Sequence, residues 1–242
     1  MTTQPTVVLV HSPLVSPLTW APVAEALTSA GWPVNRPALT DVVTDEGPYY
    51  GTLAATVAEA ISGPSVIVGH SAAGALLPVI AAAATEPPRA VVFVDAVLPH
   101  PGQNWFDTAP DDLVQQLRGM ARHGLLPTWD QWFPPGALLD LIPDPALHQR
   151  FVDELPEVPL AYFEETAPAV APLPDHRCGY LLLSEPYQNE AAAARGFGWR
   201  VDTEPSDHLA MLTQPTRIAG ALTRMLTALV GDVSADVSAD VP

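Results

Sequence analysis

The sequence predicts an α/β fold, with a mainly parallel sheet flanked by helices. Three observations predict it. Short, continuously apolar, β-branched runs recur along the chain, as strands buried on both faces do. Segments of helical spacing alternate with them, the pattern of a parallel sheet with crossover helices. Finally, 242 residues with 48% hydrophobic and only 15% charged side chains suit one sizeable core better than two domains or a disordered chain.

Residues 6–10, Thr-Val-Val-Leu-Val, read as the first strand. Residues 20–30 have helical spacing and end at Gly31, a C-cap residue type. Residues 52–61 repeat that pattern and stop at Ser62-Gly63-Pro64. Residues 65–69, Ser-Val-Ile-Val-Gly, form the second strand, followed by a helix over about 72–84. Residues 89–94 are the third strand, 179–183 the fourth and 199–201 a weaker fifth. Residues 215–230 form a last amphipathic helix with Pro215 at its start.

The pattern changes at 100–177. No convincing strand appears there, only short helical pieces broken by prolines, together with Trp105, Trp129 and Trp132. Structureless loops of such length are uncommon in compact domains, so this segment is expected to be a helical lid inserted before the last two strands. The expected organisation is a core of 1–99 and 178–231, a lid of 100–177, and a disordered acidic tail of 232–242 in which Ser-Ala-Asp-Val repeats.

Charge narrows the function. Ten Lys+Arg against 27 Asp+Glu give a net charge of −17, which argues against nucleic acid and against anionic membrane surfaces. Every basic residue is an arginine, so lysine Schiff-base chemistry and a phosphate-binding P-loop lysine are excluded. One cysteine, Cys178, allows no internal disulfide. The first residues carry no charged stretch followed by an apolar one, and the longest apolar run, 75–84, is interrupted by Pro78. A cytoplasmic protein is expected. Neither metal-ligand spacing nor G-x-G-x-x-G occurs, so no metal and no cofactor are expected, and the partner is a small-molecule substrate.

The chemistry concentrates in Gly69-His70-Ser71-Ala72-Ala73-Gly74, which contains G-x-S-x-G directly after a buried strand and directly before a helix. A strand turning sharply into a helix strains its middle residue, so small neighbours are needed. The Ser71 hydroxyl then stands out at the sheet's carboxyl edge. A nucleophilic serine needs a base, and the base an orienting acid, in the chain order Ser, acid, His. Of the seven histidines, His208 follows the last strand and precedes the last helix. His100, His123, His148 and His176 fall in the insertion.

With residues 7–11, Trp20, 92–99 and 207–212 added to the elbow, the chain resembles the α/β-hydrolase superfamily over nearly its whole length. It is most similar to the small cofactor-free esterase and hydroxynitrile-lyase branch. The resemblance implies the α/β-hydrolase fold and a Ser71–His208 pair. It places the acid just after the strand preceding the histidine strand, where Glu185 is the first choice. Asp95, at the end of the third strand, is the second, because some members carry the acid there. Asp207 adjoins the histidine but points to the opposite side if that segment is extended.

Ala72 N–H supplies one oxyanion donor. By the same resemblance, the second comes from the loop after the first strand, which here reads His11-Ser12-Pro13-Leu14. In that register the donor position is Pro13, which has no N–H. Leu14 N–H, the Ser12 hydroxyl, or a loop shifted by one residue are the alternatives. His11, Trp105, Trp129, Trp132 and Phe133 are the candidate pocket residues.

The expected activity is that of a serine hydrolase cleaving an ester, lactone or thioester of a fairly apolar small molecule. Two alternatives stand beside it. One is a non-hydrolytic lyase or cyclase using the Ser71/His208 pair; against its hydroxynitrile-lyase form, the residue after the histidine is Leu209, where that branch carries a lysine. The other is a small-ligand receptor with a vestigial triad.

Overall fold

The computed structural model describes residues 4–43 and 46–236. From the N-terminus, β1 (Thr6–Val10) leads through a 3-10 turn, Pro17–Trp20, into α1 (Ala21–Ser29). Next come β2 (Val34–Asn35), α2 (Thr40–Val43), α3 (Tyr49–Glu59) and β3 (Ser65–His70). A 3-10 segment, Ser71–Leu76, runs into α4 (Leu77–Ala83), and β4 (Ala90–Val94) follows. The insertion holds α5 (Trp105–Thr108), α6 (Asp111–Met120), β5 (Leu125–Leu126), a 3-10 turn at Trp129–Trp132, α7 (Ala137–Leu141), α8 (Pro145–Asp153), β6 (Val158–Pro159) and α9 (Leu160–Glu164). The core resumes with β7 (Cys178–Leu182), α10 (Gln188–Gly196), β8 (Arg200–Thr203), α11 (Ala210–Thr213) and α12 (Pro215–Asp236).

Six strands form one sheet in the order β2-β1-β3-β4-β7-β8, and every neighbouring pair is parallel. Alternating side chains go to two separate cores. Val8, Val10, Ile67, Val91, Phe93, Tyr180 and Leu182 face the side covered by α3, α4, α10 and much of the insertion. Val7, Leu9, Val66, Val68, Val92, Val94 and Leu181 face the side covered by α1 and α12. Both faces are buried, which is why the strands read as uninterrupted apolar runs. Each fully buried Leu or Val contributes about 1.5–3 kcal/mol.

The helix expected over 72–84 divides in two, because Pro78 has no N–H to give Gly74. The Gly74 carbonyl instead takes the Leu77 N–H, three residues on, and the first six residues wind as 3-10 helix. The two-residue β2, the antiparallel β5–β6 pair inside the insertion and α10 were not anticipated. Such short strands have too few residues to show a period. Helix α12 continues to Asp236, into the segment expected as a tail, and residues 237–242 lie outside the described residues.

The insertion is bound to the core by polar as well as apolar contacts. Glu165 accepts the Tyr49 and Tyr50 N–H groups at 2.6 and 3.0 Å, serving the start of α3, where Pro48 offers no capping side chain. The Ser16 hydroxyl donates to Glu154 Oε2 at 2.7 Å. Leu138, Ile142, Phe151 and Leu155 pack on Val15, Leu18, Leu209 and Leu212.

Candidate active site

The carboxyl ends of β3, β4, β7 and β8 converge, and the chain places its reactive side chains there, as open parallel sheets commonly do. Ser71 ends the turn out of β3 with φ 57°, a left-handed conformation costly for a residue with a Cβ. Its neighbours make the turn possible. A Cβ on Gly69 would lie 2.7 Å from the Leu77 side chain, and one on Gly74 would lie 2.0 Å from the Val97 carbonyl oxygen. Val97 N–H in turn donates to the Ser71 carbonyl at 3.2 Å.

His208 Nε2 stands 3.1 Å from Ser71 Oγ, and His208 Nδ1 stands 2.8 Å from Asp95 Oδ2. Asp95 closes β4, also at positive φ (43°), and is fully buried. Its Oδ1 accepts the Leu183 and Ser184 N–H groups, both at 2.9 Å, and its Oδ2 also takes the Ser184 hydroxyl. Burial alone would raise this carboxyl. The hydrogen bonds from His208 and Ser184 outweigh it and hold the group below its ordinary value, hence ionised at neutral pH. An ionised Oδ2 accepts the Nδ1 proton, so the Nε2 lone pair faces Ser71. Such a chain can take the serine proton as the oxygen attacks an electrophile.

Three rings surround His208. Tyr187 stacks on it at 4.9 Å between centroids and 5° between planes, and its hydroxyl lies 3.5 Å from Ser71 Oγ. Trp129, from the insertion, lies 6.2 Å away. His70 lies 4.4 Å away, with Nε2 2.9 Å from the His208 carbonyl. Burial, then the nearby His208, keeps the His70 pKa well below its ordinary value. It is therefore neutral, donates from Nε2 to that carbonyl, and leaves a buried Nδ1 without a partner. Neither His70 nor Tyr187 was singled out from the sequence. His70 lies inside the quoted turn and Tyr187 two residues after Glu185, but nothing in a sequence shows where a hydroxyl or an imidazole points.

Several expected site residues stand elsewhere. The carboxylate at His208 is that of Asp95, not Glu185. The loop after β7 turns its 183 and 184 N–H groups onto Asp95, which leaves Glu185 exposed in the 3-10 turn Glu185–Tyr187. Asp207 accepts the Leu209 N–H and takes no part. His11 is sealed at 1% exposure instead of lining a pocket. Its Nδ1 donates to the Ser12 carbonyl and its Nε2 accepts the Leu39 N–H.

Of the expected aromatic residues, Trp129 reaches His208. Trp105 packs on Phe106 and Phe163 within the insertion, and Trp132 packs near Phe163 while its indole N–H goes to the Pro127 carbonyl. Phe133 is 41% exposed, edge-on to Trp129.

In the first loop Pro13 is buried and has no N–H, and Leu14 N–H is turned onto Ser12 Oγ at 3.2 Å. Ala72 follows Ser71 in the first turn of the 3-10 segment, where N–H groups have no partner within the helix. An apolar cleft of about 250 Å³ between α4, the Pro99–Pro101 turn and Trp199 does not include Ser71 or His208 in its lining. Among the described residues no three His, Cys, Asp or Glu side chains come together in a way that could hold a metal ion. Nor is any helix among them long and apolar enough to cross a membrane.

Solved structures share this architecture. An extracellular alpha/beta-hydrolase from a Paenibacillus species, described as sharing structural and functional homology with tobacco salicylic acid binding protein 2, is 20% identical with a TM-score of 0.68, over 91% of this chain and 98% of that one. Polyneuridine aldehyde esterase is 18% identical with a TM-score of 0.65, over 92% and 99%. A pyrethroid hydrolase from Sphingobium faniae is 18% identical with a TM-score of 0.64, over 93% and 98%. No curated protein matches by sequence. With residues 7–221 matching the model of the alpha/beta hydrolase family, most of the sheet and the whole Ser71–His208–Asp95 chain fall within the match, and the protein belongs to that family.

Proposed function

We propose that this protein is a serine hydrolase that cleaves a carboxylic ester, lactone or thioester of a fairly apolar small molecule through an acyl-enzyme on Ser71. The observation that carries the reading is the hydrogen-bonded run from Ser71 Oγ through both His208 nitrogens to Asp95 Oδ2. Ser71 attacks the carbonyl carbon as its proton passes to His208 Nε2. The imidazolium that forms is stabilised by the buried Asp95 carboxylate. His208 then protonates the leaving group, and water, deprotonated by the same nitrogen, releases the acid. Ala72 N–H faces the developing oxyanion.

The insertion serves as a lid, with Trp129 as its apolar contact at the reacting centre. The esterase and hydrolase names of the structural neighbours support the same reaction class.

Intact-mass analysis after exposure to a fluorophosphonate tests this reading. A single adduct on the wild type that vanishes in Ser71→Ala is expected. No adduct on folded wild type would overturn it and direct attention to lyase or cyclase chemistry.

A further inference from the structure

We propose that the Tyr187 hydroxyl is the second hydrogen-bond donor to the oxyanion formed at Ser71, in place of a backbone N–H of the first loop. This rests on the acyl-enzyme reading above. Acyl transfer needs two donors aimed at the new negative oxygen. Ala72 N–H accounts for one. The loop after β1 offers no ready backbone partner: Pro13 has no N–H, and Leu14 N–H is turned onto Ser12 Oγ.

The Tyr187 hydroxyl stands 3.5 Å from Ser71 Oγ. That is longer than the roughly 2.5–3.0 Å of a formed O–H···O bond, so the donor is aimed at the nucleophile's surroundings without being spent on it. Among the described residues it has no other hydrogen-bond partner. An oxyanion sits one carbon from Oγ, within reach of a donor so placed.

The ring cannot easily swing away. It stacks nearly parallel on His208 and packs at the edge of the core that holds Phe93 and Tyr180. Burial pushes the phenol up to about 12, so it carries its proton at neutral pH and donates rather than accepts.

In the step itself, Ser71 Oγ bonds to the carbonyl carbon while its proton moves to His208 Nε2. The π pair of the carbonyl moves onto its oxygen, held by Ala72 N–H and Tyr187 O–H. When that pair returns, the bond to the leaving oxygen or sulfur breaks, and the leaving atom takes the proton from His208. Tyr187 keeps its own proton throughout.

A phenylboronic acid probe reads this directly, because its adduct on Ser71 places a boron-bound oxygen in the oxyanion position. Affinity is measured on the wild type and on Ser71→Ala, Tyr187→Phe and Ser12→Ala, beside steady-state kinetics on an activated ester. Phenylalanine keeps the stacked ring and removes only the donor. Tyr187→Phe is expected to weaken the adduct and lower kcat by about 10²–10³-fold with KM nearly unchanged, a larger loss than Ser12→Ala causes.

Adduct affinity and kcat undiminished in Tyr187→Phe would overturn the inference, as would a change confined to KM or a loss carried by Ser12→Ala instead. An adduct that depends on Ser71 but not on Tyr187 sinks this inference alone. No adduct on the wild type sinks the acyl-enzyme reading and this inference with it.

Discussion

Replacing Asp95 by asparagine separates the two candidate acids. The Oδ1 side of Asp95 is held by the Leu183 and Ser184 N–H groups at 2.9 Å, so the amide oxygen of an asparagine stays on that side. Its NH2 group then takes the place of Oδ2, 2.8 Å from His208 Nδ1. Two N–H donors cannot face each other there. The imidazole proton therefore moves to Nε2, and the nitrogen facing Ser71 loses the lone pair that accepts the serine proton. A wrong tautomer of this kind lowers kcat by about 10⁴, equivalent to about 5.5 kcal/mol at about 1.4 kcal/mol per decade. Loss of the charge-assisted bonds from His208 and Ser184 also costs roughly 1.5–3 kcal/mol of stability, so folding must be checked in parallel by thermal melting. The assay is kcat/KM on a p-nitrophenyl ester for Asp95→Asn and Glu185→Gln. Glu185 is exposed and reaches nothing in the site, so its variant should stay within roughly twofold of wild type. An Asp95→Asn enzyme within tenfold of wild type, or a Glu185→Gln enzyme falling as far as Asp95→Asn, refutes the reasoning.

Two further outcomes follow from the packing around Gly74 and His11. Gly74→Ala sets a Cβ 2.0 Å from the Val97 carbonyl, a backbone atom that cannot turn aside, and should destabilise by about 3 kcal/mol as a drop in urea midpoint; an unchanged midpoint refutes the close approach. Acid should destabilise the fold below about pH 6.5, through buried neutral histidines. Burial pushes His11 down to about 4, so between those values the unfolded chain takes up a proton that the native protein does not. Stability is present above pH 6.5 and is lost as pH falls toward 4, by about 3 kcal/mol for this residue at about 1.4 kcal/mol per unit. His11→Gln, which keeps an acceptor for Leu39 N–H, should flatten that slope in urea titrations at pH 7 and 4.5; an equally steep slope in the variant counts against the assignment.

The strands and the strand-to-helix turn at Ser71 were legible in the sequence for one reason. A strand buried on both faces needs an unbroken apolar run, and Thr6–Val10, Ser65–His70, Ala90–Val94 and Cys178–Leu182 all have one. His208 was legible from its place after the last strand. The choice between Asp95 and Glu185 was not. Both lie at the carboxyl ends of adjacent strands, β4 and β7, and both are carboxylates beside a turn. What separates them is the direction of two backbone N–H groups at 183 and 184, which depends on how the loop after β7 folds back over β4. The roles of Trp105 and Trp132 were illegible for a related reason. Their partners, Phe106, Phe163 and Pro127, belong to the insertion itself.

The loop that holds Asp95 also aims Tyr187. Ser184 gives Asp95 both its N–H and its hydroxyl, and the Ser184 carbonyl accepts the Tyr187 N–H at 3.3 Å in the 3-10 turn that follows. The turn is short and begins with a proline at its second residue, so little freedom separates the anchored Ser184 from the stacked Tyr187. An acid placed in this loop would have to point inward from the stretch now used to present the phenol. With Asp95, just past β4, as the carboxylate at His208 instead, the loop is free to serve as backbone donor to Asp95 and as carrier of a hydroxyl beside Ser71. The position of the acid and the presence of Tyr187 are therefore one arrangement. On the proposed mechanism, Pro13 in the first loop is tolerable because the Tyr187 hydroxyl, 3.5 Å from Ser71 Oγ, supplies the donor from the other side of the site.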